Sequence, residues 1–295
     1  MNNYSVIGGP TSETLAKKIA KRLHAKCLRT TLRVFPDGES KLTVLDQVPC
    51  KTTVVVSSTG PPVDSNLIQT LSLISKSREM SSDVITVMPY MGYAKQDKEF
   101  LRGEIITLSV VAKLLKAAGA TRLILVDFHS PEAMGFFKIP TKNLSSTSLF
   151  AKFFKSHKLR NPLVVSPDVY WKSNAKEFAG LIGAKATALN KQRNRKSGKL
   201  VIKSPPIKFE EKCDLILLDD MVSTGASIVK AIQFLKRSNF RKIYVACTHP
   251  VFVGDSERKI KKAGVNKIIG TNSIEGKLAQ IDLSQIIANT ILDWN

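Results

Sequence analysis

The feature that most limits how this chain can fold is a regular alternation of short apolar runs with segments of helical periodicity. In the first half, Tyr4 to Ile7, Leu28 to Phe35, Thr52 to Val56, Val84 to Met88 and Leu123 to Val126 read as strands. In the second half, Leu163 to Val165, Ala186 to Leu189, Leu215 to Leu218, Ile243 to Ala246 and Lys267 to Ile269 continue the series. Between them lie stripes at helical spacing: Leu15, Ile19 and Leu23 from about Ser12, then Leu67, Leu71 and Ile74, then Ile106, Val110 and Leu114. Strands that are apolar on both faces, separated by helices, indicate parallel sheets covered by helices, so the expected fold class is α/β.

At 295 residues, one large or two medium domains are expected. A hydrophobic content of 43% is that of a soluble globular protein. No run of about 18 uncharged apolar residues occurs, so no membrane-spanning helix is expected. The start, MNNYSVIGGP, lacks the basic and long apolar parts of a signal peptide, which places the expected location in the cytoplasm. Cys27, Cys50, Cys213 and Cys247 form no CxxC pair and are expected to be free thiols. The formal charge of +21 favours anionic partners. Lysines such as Lys17, Lys18 and Lys21 sit at helix-surface spacing, however, so charge alone does not choose between nucleotides, sugar phosphates and nucleic acid.

The most chemically specific stretch is Leu215 to Leu235, LILLDDMVSTGASIVKAIQFL. An apolar strand stops at Asp219 and Asp220. Ser223, Thr224, Gly225, Ala226 and Ser227 follow, and Ile228, Val229, Ile232 and Leu235 then recur with helical spacing. A strand, a tight loop and a helix N-terminus present free N–H groups to an anion, and Gly225 allows close backbone approach. Carboxylates accept hydrogen bonds from a sugar diol, so two acids before such a loop suit a ligand with hydroxyls and a phosphate. An ordinary strand followed by a helix cap remains the alternative on local grounds. The stretch resembles the phosphoribosyl-pyrophosphate loop of the type I phosphoribosyltransferase superfamily.

Other loops follow strands in the same way. Phe35-Pro36-Asp37-Gly38-Glu39 sets an aromatic ring beside two acids, suited to a nucleobase or simply a turn between strands. Pro89 to Asp97, PYMGYAKQD, lies at the carboxyl end of a strand, where open α/β sheets bind ligands. Ser58-Thr59-Gly60 and Ser223-Thr224-Gly225 both follow a strand and precede a helix, but Val54 and Val55 stand where the second copy has its acids. This reads as two related domains, 1–143 and 144–295, divided in the polar stretch Pro140 to Ser148, with the last helix returning to the first domain. Asn190 to Lys199, NKQRNRKSGK, has five positive charges and no apolar residue, and is expected to be a mobile loop: a soluble tip, or a cationic flap over phosphates.

Taken in order, these segments are similar to those of the ribose-phosphate pyrophosphokinase family. FPDGE at 35–39, PYMGYAKQD at 89–97, DFHSPEAMGFF at 127–137, SPD at 166–168, NKQR at 190–193, DDMVSTGAS at 219–227 and Cys247 to Pro250 carry the resemblance over nearly the whole chain. It implies two phosphoribosyltransferase-like domains, each a mainly parallel sheet flanked by helices. It also implies transfer of the β,γ-diphosphoryl group of Mg-ATP to the C1 hydroxyl of ribose 5-phosphate. The family pattern places ATP on Phe35, Asp37, Glu39, Lys95, Gln96 and Asp97, and magnesium on His129 and Asp168. Ribose 5-phosphate falls to Asp219, Asp220, Ser223, Thr224, Gly225, Ala226 and Ser227, and catalysis to Lys191 and Arg193. A homo-oligomer, dimer or hexamer, is implied, with no nucleic-acid or membrane partner.

The chain departs from the family pattern at Lys95, where arginine is usual, at Gln192, in a stretch often Lys-Arg-Arg, and at Ser223, a frequent Asp that varies in archaeal-type members. Val169 to Asn174, VYWKSN, replaces a stretch that tends to be glycine-rich. Three rival readings are a nucleobase phosphoribosyltransferase, a catalytically silent regulatory relative and a nucleic-acid-binding protein. The first needs neither the adenine-side loops nor the flap. The second is disfavoured by Asp219, Asp220, His129, Lys191 and Arg193. The third has no recognisable binding module.

Overall fold

The computed structural model describes residues 4–193, 200–202, 212–235 and 240–294. In chain order its elements are β1 (Tyr4–Gly8), α1 (Glu13–Arg22), β2 (Lys26–Leu28), β3 (Thr30–Val34), β4 (Ser40–Val44), β5 (Thr52–Val56), α2 (Val63–Met80), β6 (Asp83–Met88), α3 (Thr107–Ala117), β7 (Arg122–Val126) and β8 (Thr141–Leu144). Then come α4 (Thr147–Lys155), β9 (Leu163–Ser166), α5 (Lys172–Ile182), β10 (Lys185–Ala188), β11 (Lys191–Arg193), β12 (Leu200–Ile202), β13 (Asp214–Met221) and α6 (Ala226–Leu235). The chain closes with β14 (Lys242–His249), α7 (Ser256–Lys262), β15 (Lys267–Thr271), β16 (Ala279–Ile281) and α8 (Ser284–Leu292). Two compact units result. One holds the chain up to Leu144 together with Asn272–Gly276 and everything from Asp282 on, and the other holds Ser145–Thr271 and Lys277–Ile281.

The first unit is a six-stranded sheet in the order β2-β1-β5-β6-β7-β8, parallel throughout. β5 is buried along its whole length, as its composition, Thr-Thr-Val-Val-Val, requires of a central strand. α8 belongs to this unit: Arg22 Nε donates to Ser284 Oγ at 2.8 Å, and Lys18 Nζ pairs with Asp282 at 3.0 Å.

Three local readings of the sequence are corrected here. The apolar run Leu28 to Phe35 is not one strand: it breaks at Arg29 into β2, on the sheet edge, and β3, which forms an antiparallel ribbon with β4. Leu32 and Val34 are exposed on that ribbon, so their apolar character does not report a core. α3 buries Leu108, Val111, Ala112 and Leu115, while Val110 and Leu114 face outward. Its sequence is apolar round most of the circumference, so spacing alone picks out the wrong stripe. Finally, Thr141–Leu144 lies in the polar stretch read only as the domain boundary, yet it forms edge strand β8, held by Leu123 N donating to Pro140 O at 2.9 Å.

The second unit repeats the plan in the order β10-β9-β13-β14-β15-β16, again parallel. Along β13, Leu215 and Leu217 face one core with Val165, Ile228, Ile232 and Ile260. Ile216 and Leu218 face the other with Phe150, Phe154 and Phe178. This is the alternation a strand buried on both faces must show. The basic stretch after Asn190 starts in a short antiparallel ribbon, β11 with β12, rather than in a loop.

In the first unit, Asp83 gathers the starts of β5, β6 and β7. It accepts from Thr52 Oγ1 at 3.0 Å, from Thr121 Oγ1 at 2.5 Å and from the Arg122 guanidinium. Partial burial opposes its charge, but the donors from Arg122, Thr121 and Thr52 outweigh it and hold the carboxyl below its usual range. A depressed folded value stabilises above the unfolded carboxylate pKa of about 4, and that stability disappears as pH falls through the folded value. Asp83→Asn should therefore cost about 2 kcal/mol at pH 7. Urea midpoints of the variant and the native chain should converge as pH falls below the unfolded carboxylate pKa of about 4 and on through the lower folded value.

Candidate functional site

In each parallel sheet the strands deliver their following loops to a single edge, the place where α/β sheets bind ligands. At the carboxyl edge of the second unit, β13 runs beyond its apolar part. Asp219 stays in register with Cys247 and Met221 with His249. The expected strand end at Leu218 is thus extended through both acids, because β14 continues to pair with them. Asp219 and Asp220 are only 8% and 5% exposed. Each carboxylate accepts a backbone N–H from the next residue: Asp220 N donates to Asp219 Oδ1 at 3.1 Å and Met221 N to Asp220 Oδ1 at 2.7 Å.

Beyond Met221 the chain turns sharply into α6. Gly225 has φ +73°, which favours glycine, and a Cβ there would lie 2.9 Å from Ile260 Cδ1, so the Ile260 side chain would have to shift. The turn is tied down from behind, where Phe252 N donates to Val222 O at 2.9 Å and Val253 N to Ser223 O at 3.2 Å. Thr224 and Ala226 are exposed at the top of the loop, and Ser223 and Ser227 are half-buried. Two buried carboxylates therefore lie directly before an open, hydroxyl-lined turn and the N-terminus of a ten-residue helix. Cys247, beside Asp219, is fully buried. Burial first, and then the charges of Asp219 and Asp220, push its thiol up, so it remains neutral.

Asp168 follows β9, the neighbour of β13, on the same edge. Its Oδ1 accepts from Tyr170 N at 3.1 Å and Trp171 N at 3.3 Å, which organises the entry to α5. One carboxylate oxygen is thus occupied by the backbone. Tyr170 is 83% exposed beside it. Lys191 and Arg193 lie on β11; their side chains, and Asn194 to Lys199, fall outside the described residues.

At the carboxyl edge of the first unit, Ser58-Thr59-Gly60 follows β5. Its groups are already engaged: Ser58 Oγ donates to Ser273 O at 2.5 Å, Tyr90 N donates to Ser58 Oγ at 3.2 Å and Gly92 N to Thr59 Oγ1 at 2.7 Å. The likeness to Ser223-Thr224-Gly225 extends to position, since β5 and β13 hold the same place in their strand orders, but this copy is fastened to the loop after β6. That loop carries Lys95, Gln96 and Asp97. Lys95 is exposed, and Gln96 anchors the loop to α3 by accepting from Thr107 Oγ1 at 2.7 Å while its carbonyl accepts from Leu108 N at 3.2 Å. His129 is exposed just after β7, on a turn fixed by Phe128, whose ring meets Phe137 edge-on at 5.8 Å.

Phe35, Asp37 and Glu39 occupy the turn of the β3–β4 ribbon. Phe35 N donates to Glu39 O at 2.8 Å, and Gly38, at φ +93°, closes the turn. The Arg33 guanidinium sits 4.7 Å from the centre of the Phe35 ring. Asp37 and Glu39 are exposed. Among the described residues, no three His, Cys, Asp or Glu side chains gather into a metal cage. Sequence reading did not single out Ile260, Phe252 and Val253, which hold the turn at Gly225, because no local pattern marks a residue that acts by packing from a distant element.

Residues 4–119 match the family model described as the N-terminal domain of ribose phosphate pyrophosphokinase, and residues 201–293 match the phosphoribosyl synthetase-associated domain. A ribose-phosphate pyrophosphokinase of Methanobrevibacter smithii is 33% identical, across 98% of this chain and all of the relative. One from Methanothermobacter thermautotrophicus is 32% identical, with the same coverage. Among solved structures, phosphoribosylpyrophosphate synthetase from Mycobacterium smegmatis superposes with a TM-score of 0.85 at 26% identity, covering 98% of both chains.

The packing of Gly225 against Ile260 generates a direct expectation. Gly225→Ala should lower stability by about 2 kcal/mol through the left-handed φ and the clash with Ile260. Adding Ile260→Val, which removes the clashing Cδ1, should recover part of that loss in urea midpoints. No recovery would mean that backbone strain alone sets the cost.

Proposed function

The chain belongs to the ribose-phosphate pyrophosphokinase family, and we propose that it transfers the β,γ-diphosphoryl group of ATP to the C1 hydroxyl of ribose 5-phosphate, giving 5-phosphoribosyl 1-diphosphate and AMP. The observation that carries this reading is the buried pair Asp219 and Asp220, set immediately before the open turn at Gly225 and the start of α6. The 5-phosphate rests on the N–H groups and hydroxyls of Ser223 to Ser227, and the two carboxylates accept from the ribose diol. Exposure of Thr224 and Ala226 leaves the mouth of that cradle open to a ligand.

The nucleotide belongs to the first unit's loops. Phe35 offers a ring face to adenine, Asp37 and Glu39 accept from its amino hydrogens, and Lys95, Gln96 and Asp97 orient the phosphates. The exposure of Asp37, Glu39 and Lys95 supports this reading. Lys95 supplies a point charge and no planar fork, so it neutralises without bidentate geometry.

The donors offered to a metal, the exposed imidazole of His129 and the carboxylate of Asp168, are few, which fits magnesium that arrives with the nucleotide rather than a protein-built cage. When bound, magnesium neutralises charge on the phosphate chain. Lys191 and Arg193 place positive charge on the transferring group and on departing AMP, and the basic stretch around them excludes water. We assign the protein to the cytoplasm, and to a homo-oligomer, dimer or hexamer. No helix among the described residues is long and apolar enough to cross a membrane.

A coupled assay for AMP formed from ATP and ribose 5-phosphate tests the proposal. Turnover should require both substrates and vanish in chelator, and Lys191→Ala or Arg193→Ala should lower kcat by about 10³-fold with KM for ribose 5-phosphate little changed. Release of diphosphate from added 5-phosphoribosyl 1-diphosphate and a nucleobase, with no AMP from ATP and ribose 5-phosphate, would replace this reading with a phosphoribosyltransferase.

A further inference from the structure

The charge of the chain is unevenly divided. The second unit holds 26 Lys and Arg against 9 Asp and Glu, a formal +17, which leaves +4 for the first. The basic stretch at 190–199 supplies only five of the 26. Many of the rest, dispersed in sequence, are brought by the parallel topology to the amino edge of the second sheet, opposite the edge that carries Asp219 and Asp220. Lys185, Lys242 and Lys267 are the first residues of β10, β14 and β15, and all three are exposed. Lys155 ends α4, and Lys158 and Arg160 follow it on the way into β9, also exposed.

Hydrogen bonds show that these segments adjoin. Arg241 Nη2 donates to Lys158 O at 3.4 Å, and Arg160 N donates to Asp214 Oδ2 at 2.8 Å. Lys267 Nζ lies 5.0 Å from the centre of the Phe153 ring on α4. Among the described residues, Asp214 is the carboxylate at this edge; it is fully buried and paired with Arg241 at 2.5 Å. Among the described residues, the exposed cations therefore have no exposed acidic counterpart along the ledge. Complementing a helix dipole explains Lys155 at the end of α4, but not the cations at three strand starts.

We propose that this edge is a docking surface for a nucleic-acid duplex, held by its phosphate backbone. Five neighbouring strands, β10 to β15 in sheet order, span about 19 Å at about 4.8 Å each, enough to meet several successive phosphates. Two features separate a duplex from other polyanions. Among the described residues of this unit, the exposed large apolar side chains are Val169, Tyr170, Leu181 and Val253, and only Leu181 lies on this side. Among the described residues of this edge, one leucine provides no membrane anchor, and no exposed ring offers a platform for unstacked bases of a single strand.

The test is fluorescence anisotropy of a labelled 20-base-pair DNA duplex with the full chain, in the presence of saturating ATP and ribose 5-phosphate. Affinity should fall roughly 10²- to 10³-fold between 50 and 200 mM salt, as for about five released counterions. Reversing Lys155, Lys158, Lys242 and Lys267 to Glu should weaken binding at least ~30-fold at constant salt, with AMP-forming turnover unchanged. Reversing Lys21, Lys51, Lys113 and Lys116 in the first unit, an equal change in net charge, should cost less than about threefold. Duplex binding should also slow amide exchange at residues 155–162 and 241–243 of the native chain, a readout that needs no variant. Absence of binding at 50 mM salt, equal losses in the two variants, or tighter binding to single strands or to phosphatidylserine vesicles would overturn the proposal. These outcomes do not depend on the assigned reaction, because the edge shares no residue with the proposed site.

Discussion

The second unit depends on the burial of β13 between β9 and β14. A strand that is buried from Asp214 to Met221 must satisfy every backbone group by pairing and must be apolar on both faces, and Leu215 to Leu218 meet that condition. The same pairing carries the strand on through Asp219 and Asp220. Two carboxylates are thereby fixed on a rigid element, although burial of acids is unfavourable in itself. The cost is offset by backbone donors at 3.1 and 2.7 Å and by a position at the end of the strand, where the turn opens to solvent. Everything proposed for the sugar phosphate rests on that placement.

The two units use one architecture differently. In the first, Ser58 and Thr59 are spent on internal bonds to Ser273, Tyr90 and Gly92, which turns a loop of the same pattern into a fastening for the segment that bears Lys95 to Asp97. In the second, the equivalent turn is held from behind by Phe252, Val253 and Ile260, and its hydroxyl side stays accessible. A repeated loop becomes a binding site where its support comes from outside the loop, and a structural knot where its own polar groups supply the support.

Much of this was legible from residues alone. The apolar runs located nearly all the central strands, since burial on both faces leaves a continuous signal. The acidic pair and Gly225 identified the turn, since few residues adopt φ +73°. What escaped was controlled from elsewhere. β8 is polar because it is an edge strand, so nothing in Thr141–Leu144 marks it as a strand. The buried face of α3 was missed because its sequence offers two apolar stripes, and only the sheet beneath decides between them. The work of Asp168 at the entry to α5 was hidden for a related reason: a carboxylate that suits a metal also suits backbone N–H groups two and three residues on. The gathering of cations along one edge, likewise, comes from parallel topology acting on residues more than 100 positions apart.

Calorimetric titration of ribose 5-phosphate into the native chain and into Asp219→Asn/Asp220→Asn addresses the central claim most directly, because it isolates the sugar phosphate from nucleotide and turnover. Loss of two charge-assisted acceptors should weaken binding by at least ~30-fold while inorganic phosphate, which lacks the diol, binds both proteins alike. Equal affinity of the two proteins for ribose 5-phosphate would contradict the account.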